Sequence, residues 1–188
     1  MKYRLNIESL SQLEPCKKSF DYDSEYDDFS SISSDISDVL HEMGVVFQLQ
    51  VDNVEIPIFI WGDFEYFLDG FYEYAGFLFS NQKSEFMFEL LEQGIETQVC
   101  FSIEDDRVKV SEENFYMGSY YVKMNELRSD FKRFFKEFIS LIDLLIPGIS
   151  LHTWFKQWRE GIQSIINDVH GSPACASLFN GHRKCPHL

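Results

Sequence analysis

Three carboxylates, Glu65, Asp69 and Glu73, recur at every fourth position, and on a helix that spacing sets them in one row. Carboxylates held together can transfer protons, hold a cation or face a basic partner. A second acidic group, Asp21-Tyr22-Asp23-Ser24-Glu25-Tyr26-Asp27-Asp28, alternates like the start of an EF-hand calcium loop. It departs from that loop at Tyr26, where the turn glycine belongs, and at Ile32, where the bidentate Glu belongs. Cys175, His182, Cys185 and His187 are all zinc-ligand types, but the two-residue Cys-x-x-Cys knuckle is missing. An irregular, somewhat basic tail is expected there, and no metal. The chain has no glycine-rich phosphate loop, no His-Glu-x-x-His and no Gly-x-Ser-x-Gly, so neither a catalytic residue nor a cofactor is expected. The one route to catalysis is a carboxylate pair among Asp63, Glu65 and Asp69 beside Trp61, in the manner of a glycosidase. In so acidic a chain such a pair arises by chance.

The charge is concentrated. Between Ser19 and Gln82 there are fourteen Asp or Glu residues, no Lys or Arg, and fifteen of the thirty-one aromatics. This block accounts for most of the net charge of −15. Such a surface repels nucleic acid and anionic lipid and attracts basic protein. Tyrosines are interleaved with the acids, and tyrosine combines contact area with a polar tip. The partner surface is therefore expected at Asp21, Tyr22, Asp23, Glu25, Tyr26, Asp27, Asp28, Glu65, Tyr66, Asp69, Tyr72 and Glu73, facing a basic protein.

The elements that must position these residues follow from periodicity. Residues 2–10 alternate as a strand, and an acidic loop runs on to about Ser34. Ser33 or Ser34 is expected to cap a short helix over Asp35–Met43, ended by Gly44. Two alternating runs, Val45–Val51 and Val54–Trp61, flank Asp52-Asn53 as a hairpin, and Pro57 assigns the second to an edge or a bulge. Residues 63–79 carry conflicting signals. Phe64, Phe67, Leu68, Phe71, Ala75 and Leu78 fall at helical spacing, with Asp63 placed as the cap. Asp69-Gly70 between aromatic runs also marks a hairpin; the apolar stripe favours the helix.

Strands fill 85–111, with turns at Gln93-Gly94 and Glu104-Asp105-Asp106, and one more is expected near Tyr120–Met124. A helix over Asn125–Ile146 and another from Ser150 are expected to pack as an αα-hairpin across Pro147-Gly148. The class expected is α+β: a single, mostly antiparallel sheet packed by helices, with a C-terminal αα-hairpin. One domain would span 1–170, sheet-rich to 124 and helical over 125–169, before an irregular tail over 171–188. The least charged stretch, Phe138–Leu151, is interrupted by Asp143, Pro147 and Gly148 and is too short to cross a bilayer. Four separated cysteines make no disulfide framework, and a cytoplasmic location is expected.

This layout resembles the small acidic immunity proteins with which bacteria neutralise protein toxins. The likeness covers about residues 45–111: the hairpin Val45–Ile60, the aromatic helix from Asp63, and Phe88-Glu89-Leu90-Leu91-Glu92-Gln93-Gly94 leading to a strand and the Asp105-Asp106 turn. The C-terminal helices and the Cys/His tail lie outside it. The resemblance implies stoichiometric binding to a toxin domain, often a nuclease, with no catalysis. A nuclease is basic where it grips phosphate, so complementary charge would speed association by about 10 to 10³. An acidic regulator that mimics nucleic acid would share this physics and differ only in its target.

Overall fold

The alternating segments become strands and the segments of period 3.6 become helices. The computed structural model describes residues 2–6, 20, 22–23, 27, 29–51, 54–80, 83–92, 95–112 and 118–167. In chain order these form β1 (Lys2–Asn6), α1 (Phe29–Glu42), β2 (Val46–Val51), β3 (Val54–Ile58) and α2 (Asp63–Phe79). There follow β4 (Glu85–Glu92), β5 (Ile95–Glu104), β6 (Arg107–Glu112), β7 (Gly118–Lys123), α3 (Met124–Leu145), α4 (Pro147–Leu151) and α5 (Thr153–Asn167). The class is α+β, with antiparallel strands and helices at the C-terminal end. The strands divide between two sheets where one was expected: β1-β2-β3 and the meander β4-β5-β6-β7. The division falls at α2, which follows β3 and carries the chain away from it. Pro57 lies on β3, an edge strand as expected, and cannot donate to a further neighbour.

Helix α2 resolves the conflict at 63–79, and its surroundings explain why. Phe64, Phe67, Leu68, Phe71, Tyr74, Ala75, Phe77 and Leu78 are all buried, so the helix is apolar around most of its girth. It is flanked by α1, α3, α5 and β4, which is how such a helix is satisfied. Gly70 marks the closest approach rather than a turn: a Cβ there would stand 3.0 Å from Cε1 of Phe88 on β4. The packing is aromatic. Among the described residues, the eleven largest side chains with under 2% exposure are ten phenylalanines and Tyr74, and their rings meet edge-on, tilted and stacked. From β2, Phe47 reaches Phe67 at 4.7 Å and Phe134 on α3 at 5.0 Å between ring centres. From β4, Phe88 meets Phe67 at 4.6 Å. Side chains of both sheets thus join one buried cluster around α2.

Three local expectations change. Helix α1 begins at Phe29, so Ser33 is an internal buried residue whose hydroxyl donates to the Ser30 carbonyl at 3.1 Å. Its end is as expected, with Gly44 in the left-handed region at φ +68. Asp63 is not the cap of α2; that position is Gly62, and Asp63 is the buried first residue of the helix. Finally, the short α4 separates α3 from α5. The last helix leans on α2, where Gly161 lies against the Tyr72 ring, and meets α3 through Trp158 and the rings of Phe135 and Phe138. Among the described residues no helix is long and apolar enough to cross a membrane.

Candidate functional site: an acidic face with an exposed tryptophan

Helix α1 and the entry to α2 lie side by side, and between them is a depression of about 290 Å³ lined by Ser34, Ser37, Asp38, Trp61 and Glu65. Trp61 dominates it. This side chain is 72% exposed, although indole is among the side chains with most to gain from burial. It is not loose: its Nε1–H donates to Oδ1 of Asp38 at 2.9 Å, and the His41 ring lies 6.3 Å away. The turn that carries it is built on one carbonyl. The C=O of Phe59 accepts from the N–H groups of Gly62, Asp63 and Phe64 at 3.3, 2.8 and 3.2 Å. The Asp63 carboxylate turns back to the Phe59 N–H at 3.4 Å, so this acid supports the turn from inside and does not line the depression.

Among the described residues, the charges around Trp61 are met by neutral donors. Oε1 of Glu65 accepts the Ser30 hydroxyl at 2.6 Å, just as Asp38 accepts the indole. Among the described residues neither carboxylate meets a Lys or Arg, and Oδ2 of Asp38 and Oε2 of Glu65 accept no hydrogen bond. Exposed apolar side chains stand on the hairpin that leads to Trp61 and on α2. Val46 and Phe59 are each 46% exposed and lie one step beyond the Phe47–Ile58 pair of the β2–β3 ladder. Tyr66 is 39% exposed on the first turn of α2.

The predicted row is real but unequal. Asp69 and Glu73 are exposed and Glu65 is half-buried. The expectation that no lysine offsets the row fails at Glu73, whose carboxylate accepts Lys83 Nζ at 2.7 Å. Lys83 lies just past α2, outside the cation-free block. Tyr72 is half-buried between α2 and α5. Tyr22 also turns inward: its hydroxyl donates to Oδ2 of Asp35 on α1 at 2.6 Å, and its ring meets His152 edge-on at 5.0 Å. Burial, and then the bond to Asp35, hold that phenol protonated well above its usual range. Asp23 and Asp27 close a small turn, with the Asp23 N–H donating to the Asp27 carboxylate at 2.6 Å.

Asp21, Glu25, Tyr26 and Asp28 lie outside the described residues, as do Cys175, His182, Cys185 and His187. Among the described residues no three His, Cys, Asp or Glu side chains are grouped to hold a metal ion. Sequence reading missed Asp38, Val46 and Phe59. The last two stand at outward positions of a visible hairpin, but Asp38 joins Trp61 across 23 residues, a pairing no local pattern announces. No protein-family model, curated protein or solved structure matches the chain.

Proposed function

We propose that this chain is a non-catalytic binding protein that neutralises a basic protein, of the kind a bacterial immunity protein binds, through the α1–α2 face. Trp61 carries the reading: a large aromatic held outward by a hydrogen bond, among carboxylates that meet no Lys or Arg among the described residues. A rigid aromatic anchor ringed by one sign of charge suits a partner of the opposite sign. The depression also suits a second reading, a carboxylate-dependent glycosidase with a sugar stacked on Trp61 and Asp38 with Glu65 as the acids. Its volume of about 290 Å³ is at the bottom of the range for small-molecule sites, which favours the protein partner.

Co-expression with the product of the adjacent reading frame, followed by size-exclusion chromatography, tests the proposal. A co-eluting complex and rescue of cells from that product are the expected results. Reversing Glu65, Asp69 and Glu73 to Lys should slow association, and wild-type association should slow as salt screens charges beyond about 8 Å. Absence of any complex, without rescue, sinks the proposal. Hydrolysis of a chromogenic glycoside that is lost in Glu65→Gln would favour the second reading instead.

A further inference from the structure

We infer that the depression between α1 and α2 is a socket for the side chain of one arginine, presented by the protein partner proposed above, on which this inference rests. The walls match a guanidinium in three respects. The exposed Trp61 ring offers a face for stacking, and tryptophan is the best aromatic partner for a cation. Asp38 and Glu65 each use one oxygen on a neutral donor, the Trp61 indole and the Ser30 hydroxyl, and among the described residues nothing donates to the other. The hydroxyl-bearing Ser34 and Ser37 complete the lining.

Planarity decides for arginine over lysine. A guanidinium can lie flat on the indole while its edge hydrogens reach two acceptors, whereas an ammonium presents a compact and strongly hydrated charge. Arginine also loses less hydration in a half-open site. A metal ion is a poorer fit, because only two carboxylates line the depression and the described residues hold no larger group. At about 290 Å³ the space takes one long side chain and little more. The bond from Trp61 to Asp38 prepares the site in advance, so little ordering is needed on binding.

The test uses blocked amino acids and the whole protein. N-acetyl-L-arginine methylamide is titrated while the Trp61 indole N–H is followed by NMR, the signal being assigned by its loss in Trp61→Phe. The expected result is saturable movement of that signal with a dissociation constant on the order of millimolar. The blocked lysine should bind several-fold more weakly, and blocked citrulline, which has the shape without the charge, should give no saturable shift. Asp38→Asn and Glu65→Gln keep an acceptor for the indole and for Ser30 while removing charge. Each should weaken binding by about three- to fivefold, the scale of a half-exposed ion pair.

The inference is overturned if blocked arginine does not move the signal, if lysine binds as well, or if both variants bind like wild type. Free L-arginine binding more tightly than the blocked form would assign the site to a metabolite and overturn the protein source. These outcomes leave complex formation with the basic partner standing, whereas failure of that complex is read by chromatography and not by this titration.

Discussion

Gly70 and Gly76 lie six residues apart on α2, and replacing each by alanine should have opposite effects. Both sit in a helix interior, where alanine is favoured over glycine by about 1 kcal/mol. At Gly76 nothing opposes that gain: the nearest atom to a new Cβ is the Ser80 hydroxyl oxygen at 3.9 Å. Gly76→Ala should therefore stabilise by about 1 kcal/mol. At Gly70 the Cβ would meet Phe88 at 3.0 Å on Cε1 and 3.2 Å on Cδ1. Phe88 cannot yield easily, because its ring is packed against Phe67, Tyr74 and Phe86 at 4.6, 5.0 and 4.7 Å. Overpacking of this sort costs about 1–3 kcal/mol, which outweighs the helical gain. Gly70→Ala should then be less stable than wild type by about 1 kcal/mol. The variants should differ by about 2 kcal/mol in urea unfolding, or about 4–8 °C in Tm for a chain of this size. If Gly70→Ala proves the more stable of the two, the approach of α2 to β4 is wrong and the turn signal of Asp69-Gly70 regains its force.

Two further predictions concern the core and the acidic segment. Phe67→Ala should cost about 3–5 kcal/mol by urea unfolding, since its ring touches those of Phe47, Phe64, Phe71, Phe88 and Phe134; a loss below about 1 kcal/mol would mean those rings do not share one packed centre. For Tyr22 the sign follows from its raised folded-state pKa, above the ordinary 10.0. Its contribution is fully present below about pH 10 and is lost as pH rises beyond that, because only the unfolded chain then releases the proton. Urea midpoints measured from about pH 8 to about pH 11 should fall more steeply for wild type than for Tyr22→Phe, and parallel curves would refute the docking of Tyr22 on Asp35.

Most elements were legible because their periodicity was strong. The β2–β3 hairpin, the three strands over 85–112 and the 22-residue α3 fall where alternation or the helical stripe placed them. Residues 63–79 show what periodicity leaves open, since a turn dipeptide and a close-packed helix both call for glycine at position 70. Tertiary contact with Phe88 selects between them, and that contact is invisible locally. The division into two sheets was hidden for a related reason: strand pairing depends on where α2 lies. Within the site, the charge and the aromatics were plain, but their roles were not. Tyr22 and Tyr72 read as outward tyrosines yet pack inward, while Trp61, next to a strand end, is the side chain left in solvent. Lys83 shows that a cation-free stretch of sequence is not a cation-free surface.

The central place of α2 bears on how the chain is made. Synthesis runs from the N-terminus at about 5–20 residues per second, so α2 is complete before either β4 or α3 exists. Phe88 arrives soon after, but Phe131, Phe134 and Phe138 follow α2 by more than fifty residues, a delay of about 3–12 s. During that interval a helix apolar around most of its girth lacks half of its cover, while neighbouring ribosomes on the same message carry identical nascent segments. The residues made up to Gln82 carry sixteen acids against four bases, all four of them before Ser19. Like charge keeps such segments apart, so the acidity proposed above to face a partner would also shield this apolar helix at birth.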